Sequence, residues 1–362
     1  MDDIRGEPQK LTKEESQTAT ALNELLGIRI HGLIQCGGQG TIYHGVDGNN
    51  AEFAVKITSR PQRPYRELSG LGLPEHPNIA TIFHLLLYDP NHEKYLTVSK
   101  KQACLMRRSD RFHLKAVVSQ LVVGWDLAEI LMHPTTPGPK LAMIIVSQLV
   151  QALKHCHAHN VLHRDMKPEN ILFTPTGEVK LVDFGLAGRL PENGRRYSLL
   201  GSPFFLSPEV VNDANHRDDR YGHSFPLDAW GLGLVLWMTL TGTSLARLFS
   251  QDGDEKPEAK DFFASKCCTC STRFARMSDE QKITRLFKFI RTEAKKESGL
   301  ATLVELIIGL TKESPAERLT LADAEKVLGQ EPLSRTNLHE AISALPLPHL
   351  AAAVSPGSVS LG

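Results

Sequence analysis

Three side chains with oxygen atoms that could bind a metal ion or accept a proton lie close together in sequence, near the middle of the chain. Asp165 and Asn170 stand in the run His-Arg-Asp-Met-Lys-Pro-Glu-Asn, which begins at His163, and Asp183 begins the triplet Asp-Phe-Gly. Carboxylate and carboxamide oxygens are hard ligands of the kind that divalent cations prefer, and a carboxylate can also accept a proton. A single triplet such as Asp-Phe-Gly also occurs by chance in turns. The evidence for a functional site is therefore the presence of both segments in this order.

These two segments match H-R-D-x-x-x-x-N and D-F-G, and they resemble the catalytic and metal-binding loops of eukaryotic-type protein kinases. A strand-turn-strand pattern over residues 171–182 separates them. The resemblance implies that Asp165 accepts the proton of the attacking hydroxyl and that Lys167 lies near the transferred phosphate. It also implies that Asp183 and Asn170 hold Mg²⁺ against the phosphates of ATP.

Upstream, residues 35–42 read Gln-Cys-Gly-Gly-Gln-Gly-Thr-Ile and resemble the glycine-rich loop of the same family. A Cβ in this loop would keep backbone N–H groups away from the phosphates. Gly37 and Gly40 stand where the pattern needs glycine, whereas Gln35 replaces the first one. An ordinary glycine hairpin is the alternative interpretation. The departure at Gln35 bears on nucleotide affinity more than on catalysis.

The next predicted strand carries Lys56 in the run Ala-Val-Lys, which resembles the V-A-I-K segment of the family. The resemblance implies that Lys56 binds the α- and β-phosphates and pairs with a glutamate on the helix called αC. Glu67 fits that role, since it stands nine residues before His76 in a His-Pro-Asn-Ile segment. Two glycines and a proline follow Glu67, so we expect a short αC, docked by the N-terminal segment or by a partner.

Residues 117–124 resemble the last strand of the small lobe and the hinge that follows it. Ser119 would be the gatekeeper, and Gln120 to Val122 would offer backbone hydrogen bonds to adenine. The nucleotide-binding residues that the resemblance implies are Ile34, Gly37, Gly38, Gly40, Ile42, Ala54, Lys56, Gln120, Val122 and Leu172.

Further downstream, residues 201–209 resemble the end of a kinase activation segment, and residues 314–319 resemble the D-P-x-x-R segment. Asp228 begins a run similar to D-x-W-S-x-G at the start of a core helix. The family implies a buried ion pair between Glu209 and Arg318.

Arg164 places a cation directly before Asp165, an arrangement that a phosphate on the activation segment often neutralises. Ser198 is the first candidate for that phosphate, followed by Tyr197 and Ser202. A segment that is active without phosphate is the alternative.

Composition excludes several classes of protein. Among 362 residues, 41 Lys and Arg balance 41 Asp and Glu, so no overall charge draws the chain to nucleic acid or to anionic lipid. The N-terminus lacks the pattern of a secretory signal, and the apolar runs at 141–153 and 230–240 are too short to span a bilayer. Six scattered cysteines fit a reducing compartment. We therefore expect a soluble cytoplasmic protein.

The predicted fold class is α+β, a bilobal protein-kinase-like fold with a small β-rich N-lobe containing αC and a larger α-helical C-lobe. Residues 1–27 form a lead segment, 28–120 the N-lobe, 124–328 the C-lobe and 329–362 a mobile tail. The family resemblance covers 28–328.

An unusually long connection separates His76 from Ser119, and its segment 94–115 is rich in Lys and Arg. We interpret it as a solvated loop or, alternatively, as a docking surface for an acidic partner or lipid.

The leading hypothesis is a serine/threonine protein kinase that uses ATP and Mg²⁺ on protein substrates. Lys167 favours serine and threonine as acceptors, and the long segment from Asp183 to Glu209 favours a protein substrate. A pseudokinase scaffold and a small-molecule phosphotransferase of related fold are the alternatives.

Overall fold

The computed structural model describes residues 11–37, 40–62, 65–103, 111–132, 138–190, 201–211, 224–242, 248, 266–290, 295 and 299–329. The chain divides into two compact units between Val122 and Val123. No helix among the described residues is long and apolar enough to cross a membrane.

The first unit is a six-stranded antiparallel sheet with three helices. Its elements are α1 Lys13–Leu26, β1 Arg29–Gly37, β2 Gly40–Val46, β3 Glu52–Gln62, α2 Tyr65–Leu71, β4 Ile82–Asp89, β5 Lys94–Ser99, α3 Lys100–Ala103 and β6 His113–Gln120. The strand order is β1-β2-β3-β6-β4-β5. The alternating pattern of residues 28–58 is therefore confirmed as three antiparallel strands.

The long connection after His76 is not a solvated loop in its described part, so that interpretation was wrong. β4 and β5 form a hairpin in which Asp89 pairs with Lys94, and β5 adds a strand at the edge of the sheet. The sequence reason is the alternation of Tyr95, Thr97 and Ser99 with Leu96 and Val98, the period of a strand. α3 then follows directly.

The positive charge of this segment is partly neutralised within the lobe. Arg111 Nε donates to Asp89 Oδ1 at 3.0 Å, and this bond holds the pKa of Asp89 well below its usual range. Lys115 forms an ion pair with Glu14 of α1. Because these two cations already have acidic partners, the segment offers less basic surface than its composition predicts.

α1 crosses one face of the sheet from edge to edge. Its 14 residues span about 21 Å, close to the roughly 24 Å between the outer strands of a six-stranded sheet, and it contacts both edge strands, β1 and β5. Thr12 and Glu15 form a capping box at its start. Ala21 and Leu22 are buried in one cluster with Val55.

α2 is the predicted αC helix, and its seven residues confirm that it is short. It packs against β4 and α3. The connection after His76, through β4 and α3, thus supports this helix, while docking by the N-terminal segment or by a partner stays a prediction. Leu85, Leu86 and Leu87 of β4 are all fully buried, which requires cover on both faces of that strand.

The second unit is mainly helical. Its elements are β7 Trp125–Asp126, α4 Leu127–Met132, α5 Pro139–Ala158, β8 Val161–Leu162, β9 Ile171–Phe173, β10 Val179–Leu181, β11 Gly188–Arg189, α6 Pro226–Thr241, α7 Lys266–Ala275, α8 Asp279–Phe289, α9 Leu300–Leu310 and α10 Leu321–Leu328. Two 3₁₀ turns lie at Pro168–Asn170 and Pro203–Phe205. The apolar runs at 141–153 and 230–240 lie within α5 and α6.

α6 is the central helix of this unit. It is buried on all sides, as expected of a helix that is apolar all round, and it packs against α5 and α9. Its two tryptophans, Trp230 and Trp237, have no exposed surface.

The predicted pair of Glu209 and Arg318 is confirmed. The two side chains meet through two parallel bonds of 2.8 and 3.0 Å, and both are buried. Arg318 also donates to the carbonyls of Pro226 and Lys312, so nearly every guanidinium donor is used.

Replacing Arg318 by Ala should lower the free energy of unfolding by about 3–5 kcal/mol, because Glu209 would keep a buried, unpaired charge. Chemical denaturation measures the change. Arg276→Ala is the matched control, since its pair with Glu313 is exposed and such pairs contribute about 0–1 kcal/mol. Equal losses in the two variants would contradict the assignment.

Lys282 of α8 is a second buried cation, and its burial has a consequence for pH. Its Nζ donates to the carbonyl of Thr311 at 2.7 Å and lies 5.2 Å from the ring centroid of Phe274. Burial lowers the pKa of Lys282 from 10.5 to about 8.

Because the folded protein releases this proton at lower pH than the unfolded chain, the unfolded state binds more protons between pH 8 and 10.5. The free energy of unfolding should therefore rise with pH in that window, and less so in Lys282→Met. Denaturation of both proteins at pH 7.5 and 9.5 gives the comparison. Identical pH dependence would show that Lys282 does not titrate in this way.

Candidate active site

The loop that carries Asp165 is fixed by a buried carboxylate on α6. Asp228 lies in the first turn of α6 and accepts hydrogen bonds from the backbone N–H groups of His163 and Arg164 at 3.0 and 2.8 Å. His157 Nε2 donates to the same carboxylate at 2.8 Å. Although burial opposes ionisation, these hydrogen bonds lower the pKa of Asp228, and a helix N-terminus favours an anion.

His163 connects this loop to the Asp-Phe-Gly segment. Its Nε2 donates to the carbonyl of Val182 at 3.0 Å, and its Nδ1 accepts from the N–H of Asp165 at 3.3 Å; these two bonds fix the tautomer. Its ring packs edge-on against Phe184, with centroids 5.0 Å apart. The imidazole is therefore a structural link rather than a proton carrier.

Asp165 is the centre of a polar network that contains the predicted catalytic residues. Asn170 Nδ2 donates to the backbone carbonyl of Asp165 at 2.7 Å and to its Oδ2 at 3.1 Å. Lys167 Nζ lies 2.9 Å from the same Oδ2. The structure thus brings Asp165, Lys167 and Asn170 together as the sequence predicts.

Ser202 completes this network, a role that the sequence reasoning missed. Its backbone N–H and its hydroxyl both donate to Asp165 Oδ1, at 3.1 and 2.7 Å, and Lys167 Nζ donates to the hydroxyl at 3.1 Å. Its position in the Gly-Ser-Pro run at the end of the activation segment was the available signal. The sequence predicts Ser202 only as a candidate phosphate acceptor. A phosphate at this position would lie directly beside the carboxylate of Asp165.

The cation at Arg164 is buried rather than open to the surface. Its backbone is left-handed with φ 67°, and its Nη2 donates to the carbonyl of Ala187 at 2.8 Å. The candidate phosphate acceptors Tyr197 and Ser198 lie outside the described residues.

Asp183 and Asn170, the predicted metal ligands, stand on adjacent backbone segments. The N–H of Val182 donates to the carbonyl of Asn170 at 3.0 Å, and Asp183 Oδ1 accepts from the N–H of Gly185 at 3.1 Å. Asp183 has φ 59°, a strained conformation for a residue other than glycine that persists where the surroundings impose it.

The chemistry of this donor pair fits a divalent cation. Both bonds that Asn170 donates use Nδ2, so its carboxamide oxygen stays on the other side of the group. No cluster of three His, Cys, Asp or Glu side chains in the described part of the chain could hold a metal by itself. A Mg²⁺ ion, however, is commonly bound by one or two protein oxygens together with substrate phosphates.

In the first unit, Ile42, Ala54 and Lys56 share one face of the sheet. Ile42 lies directly opposite Lys56 in the β2–β3 ladder. Ala54 stands two residues before Lys56 on β3 and therefore lies on the same face. The alternate residues, Tyr43 and Val55, are buried in the cluster beneath α1. The three predicted nucleotide contacts therefore point away from α1.

The glycine-rich loop connects β1 to β2. Gly37 pairs with Gly40 at the end of the ladder, Ile34 lies on β1 with its side chain exposed, and Gly38 falls outside the described residues. Gly40 has φ 152°, and a Cβ there would lie 2.3 Å from the carbonyl oxygen of Ile57. Glycine is thus needed at this position for contact with β3, besides any approach to phosphate.

At the predicted hinge, Ser119 Oγ donates to the carbonyl of Ala54 at 3.3 Å. The N–H of Gln120 donates to the carbonyl of Thr81 at 2.8 Å, so adenine contacts by Gln120 are limited to its carbonyl. Val122 ends the first unit, whereas Leu172 lies half-buried on β9 of the second. Glu67 is buried on α2.

Residues 29–331 match the family described as "Protein kinase domain". The chain belongs to the protein kinase family. This membership confirms the predicted α+β fold, with a β-sheet N-lobe and a helical C-lobe.

Similar proteins include the "Serine/threonine-protein kinase PEPKR2" of Arabidopsis thaliana, 31% identical over 54% of this chain and 35% of that protein. The "Nik-related protein kinase" of Homo sapiens is 42% identical over 56% of this chain and 14% of that protein. "CBL-interacting protein kinase 21" of Oryza sativa subsp. japonica is 31% identical over 53% and 33%. The kinase thus covers about a third or less of these relatives' lengths.

Replacing Ser202 by Ala should reduce kcat for phosphate transfer about 10- to 100-fold, because a hydrogen bond to a charged group contributes about 1.5–3 kcal/mol. Ser202→Thr keeps the hydroxyl and should recover most of the rate. Steady-state kinetics at saturating ATP measure both variants. A Ser202→Ala enzyme as fast as the wild type would refute this role.

Proposed function

We propose that this chain is an active serine/threonine protein kinase that transfers the γ-phosphate of ATP to Ser and Thr hydroxyls of protein substrates. The observation that carries the proposal is the network around Asp165. Asn170 and Lys167 contact Oδ2 of its carboxylate, and Ser202 donates to Oδ1. Relatives named as serine/threonine-protein kinases support the same activity.

Asp165 would act as the catalytic base. Because both of its oxygens are held by neighbouring donors, the carboxylate has a fixed direction and can orient the acceptor hydroxyl while taking up its proton. The acceptor oxygen then bonds to the γ-phosphorus as the bond from that phosphorus to the β–γ bridging oxygen breaks, and ADP leaves. Lys167 places a positive charge beside the group that is transferred.

Asp183 and Asn170 would hold the metal that accompanies ATP, and we propose Mg²⁺. When bound, a divalent cation would offset the negative charge that develops on the phosphate oxygens. The arrangement of Asn170 supports this role, because its amide nitrogen is committed to Asp165.

The nucleotide would bind along the face of the first unit that Ile42, Ala54 and Lys56 share. Ile34, Gly37, Gly38, Gly40, Gln120, Val122 and Leu172 complete the proposed set. Lys56 would bind the α- and β-phosphates and pair with Glu67. The burial of Glu67 supports such a pair, since a buried carboxylate is costly without a partner.

The remaining proposals concern organisation and partners. We propose a kinase domain over 28–328, a lead segment before it, a tail at 329–362 that lies almost wholly outside the described residues, and a cytoplasmic location. A docking partner for segment 94–115 stays a prediction, and it would meet a surface on which Arg111 and Lys115 are already paired. We propose no nucleic-acid partner.

The test is phosphate transfer from ATP to a generic protein substrate by wild type, Asp183→Asn and Asp279→Asn. Loss of the carboxylate at Asp183 should lower transfer by roughly 10²- to 10³-fold. Asp279→Asn is the matched control, because this residue pairs with Lys312 on the exposed surface.

The remaining outcomes separate the alternatives. Equal transfer by wild type and Asp183→Asn would contradict the metal role. No transfer by any of the three would indicate a pseudokinase scaffold, and transfer to a sugar or antibiotic but not to protein would indicate a small-molecule phosphotransferase.

A further inference from the structure

The N-terminal helix is a part of the first unit that the family match does not include. α1 ends at Leu26, and the match begins at residue 29. The helix nevertheless packs on the sheet, with Ala21 and Leu22 in the same buried cluster as Ile57 of β3. It is therefore an addition to the kinase domain that shares its core.

Glu15 connects the first turn of this helix to β2. Its Oε2 accepts from the N–H and the hydroxyl of Thr12 at 2.9 and 2.8 Å, and its Oε1 accepts from the hydroxyl of Tyr43 at 3.0 Å. One carboxylate thus caps α1 and accepts a hydrogen bond from Tyr43, on the strand that follows the glycine-rich loop.

The protonation states make this contact strong. Although burial opposes ionisation of Glu15, the hydrogen bonds from Thr12 and Tyr43 lower its pKa. Burial and the nearby carboxylate of Glu15 raise the pKa of Tyr43 to about 12. At neutral pH a protonated phenol therefore donates to a carboxylate, and hydrogen bonds to ions are about twice as strong as neutral ones.

The contact lies on the strand that carries the nucleotide side chains. Tyr43 is in contact with Glu15, whereas the adjacent Ile42 lies on the face of β2 that Lys56 shares. Gly40 begins the same strand. A displacement of Tyr43 would therefore move Ile42 and Gly40 as well, because β2 is one continuous pleated segment.

The end of β1 has few buried contacts. The residues of β1 from Ile34 onward, up to Gly37, are all exposed, and β1 is an edge strand. Segments with few buried contacts open at low free-energy cost. Besides the pairing of β2 with β3, the charge-assisted bond at Tyr43 attaches this hairpin to α1 and so helps to fix its position.

We infer that the hydrogen bond between Glu15 and Tyr43 positions the β1–β2 hairpin for ATP, so that α1 contributes to the nucleotide affinity of the kinase. This inference rests on the proposed function. Both side chains are positioning residues, since they act through Gly40 and Ile42 rather than by touching the nucleotide.

The experiment measures KM for ATP and kcat in wild type, Tyr43→Phe and Glu15→Gln. Tyr43→Phe keeps the buried ring and removes only the hydroxyl, and it should raise KM for ATP about three- to tenfold while kcat stays within about twofold. Glu15→Gln removes the charge of the acceptor and should raise KM in the same direction but by less, and the double variant should add little to Tyr43→Phe, because both changes weaken the same bond.

Tyr95→Phe is the matched control. Tyr95 also packs on the cluster beneath α1, and its hydroxyl has no hydrogen bond to α1 within the part of the chain that the structure describes, so its loss should leave both constants unchanged. A merely structural role of Tyr43 would reduce the folded fraction, which lowers apparent kcat at constant KM. That outcome, or equal KM values in the two Tyr→Phe variants, would overturn the inference.

Failure of the proposed function has a different signature. If wild type transfers no phosphate to protein, direct titration with ATP by calorimetry on the same five proteins replaces the kinetic measurement. Weaker ATP binding by Tyr43→Phe than by Tyr95→Phe then supports the positioning role, and equal affinities overturn it.

Discussion

The architecture of the site depends on one buried carboxylate. Asp228 occupies the first turn of a helix that is buried on all sides, and it accepts the backbone N–H groups of His163 and Arg164. Such an anion in the interior is stable only because its hydrogen-bonding capacity is filled. The loop that carries Asp165, including the left-handed backbone at Arg164, is thereby attached to the buried central helix of the C-lobe.

From that anchor, polar contacts extend outward to segments that are far apart in sequence. Asp165 follows directly and is held by Asn170 within the loop and by Ser202 from the end of the activation segment. Seven residues beyond Ser202, Glu209 pairs with Arg318 near the end of the described C-lobe. The end of the activation segment is thus held by two contacts, one at Ser202 and one at Glu209. Together they fix the position of Ser202 beside Asp165.

In the N-lobe, the position of α1 separates the two faces of the sheet. α1 covers the opposite face, so that Tyr43 and Val55 are buried while Ile42 and Lys56 remain on the other side. The strand β5 and the helix α3 come from a connection whose composition indicated a solvated basic loop. Instead, β5 extends the sheet and α3 contacts α2, which explains how so short an αC is supported.

The sequence by itself determined the candidate catalytic side chains, the order of the family segments and the first three strands, because these depend on local patterns and on residue chemistry. It also determined the partner of Arg318, through the family resemblance. Only the tertiary structure decided the roles of Asp228 and Ser202 and the position of α1 on the sheet. It also decided that Arg111 pairs with Asp89, that Lys115 pairs with Glu14, and that β5 joins the sheet as an edge strand. Each of these depends on contacts between residues distant along the chain, and neither periodicity nor spacing encodes which distant residues will meet.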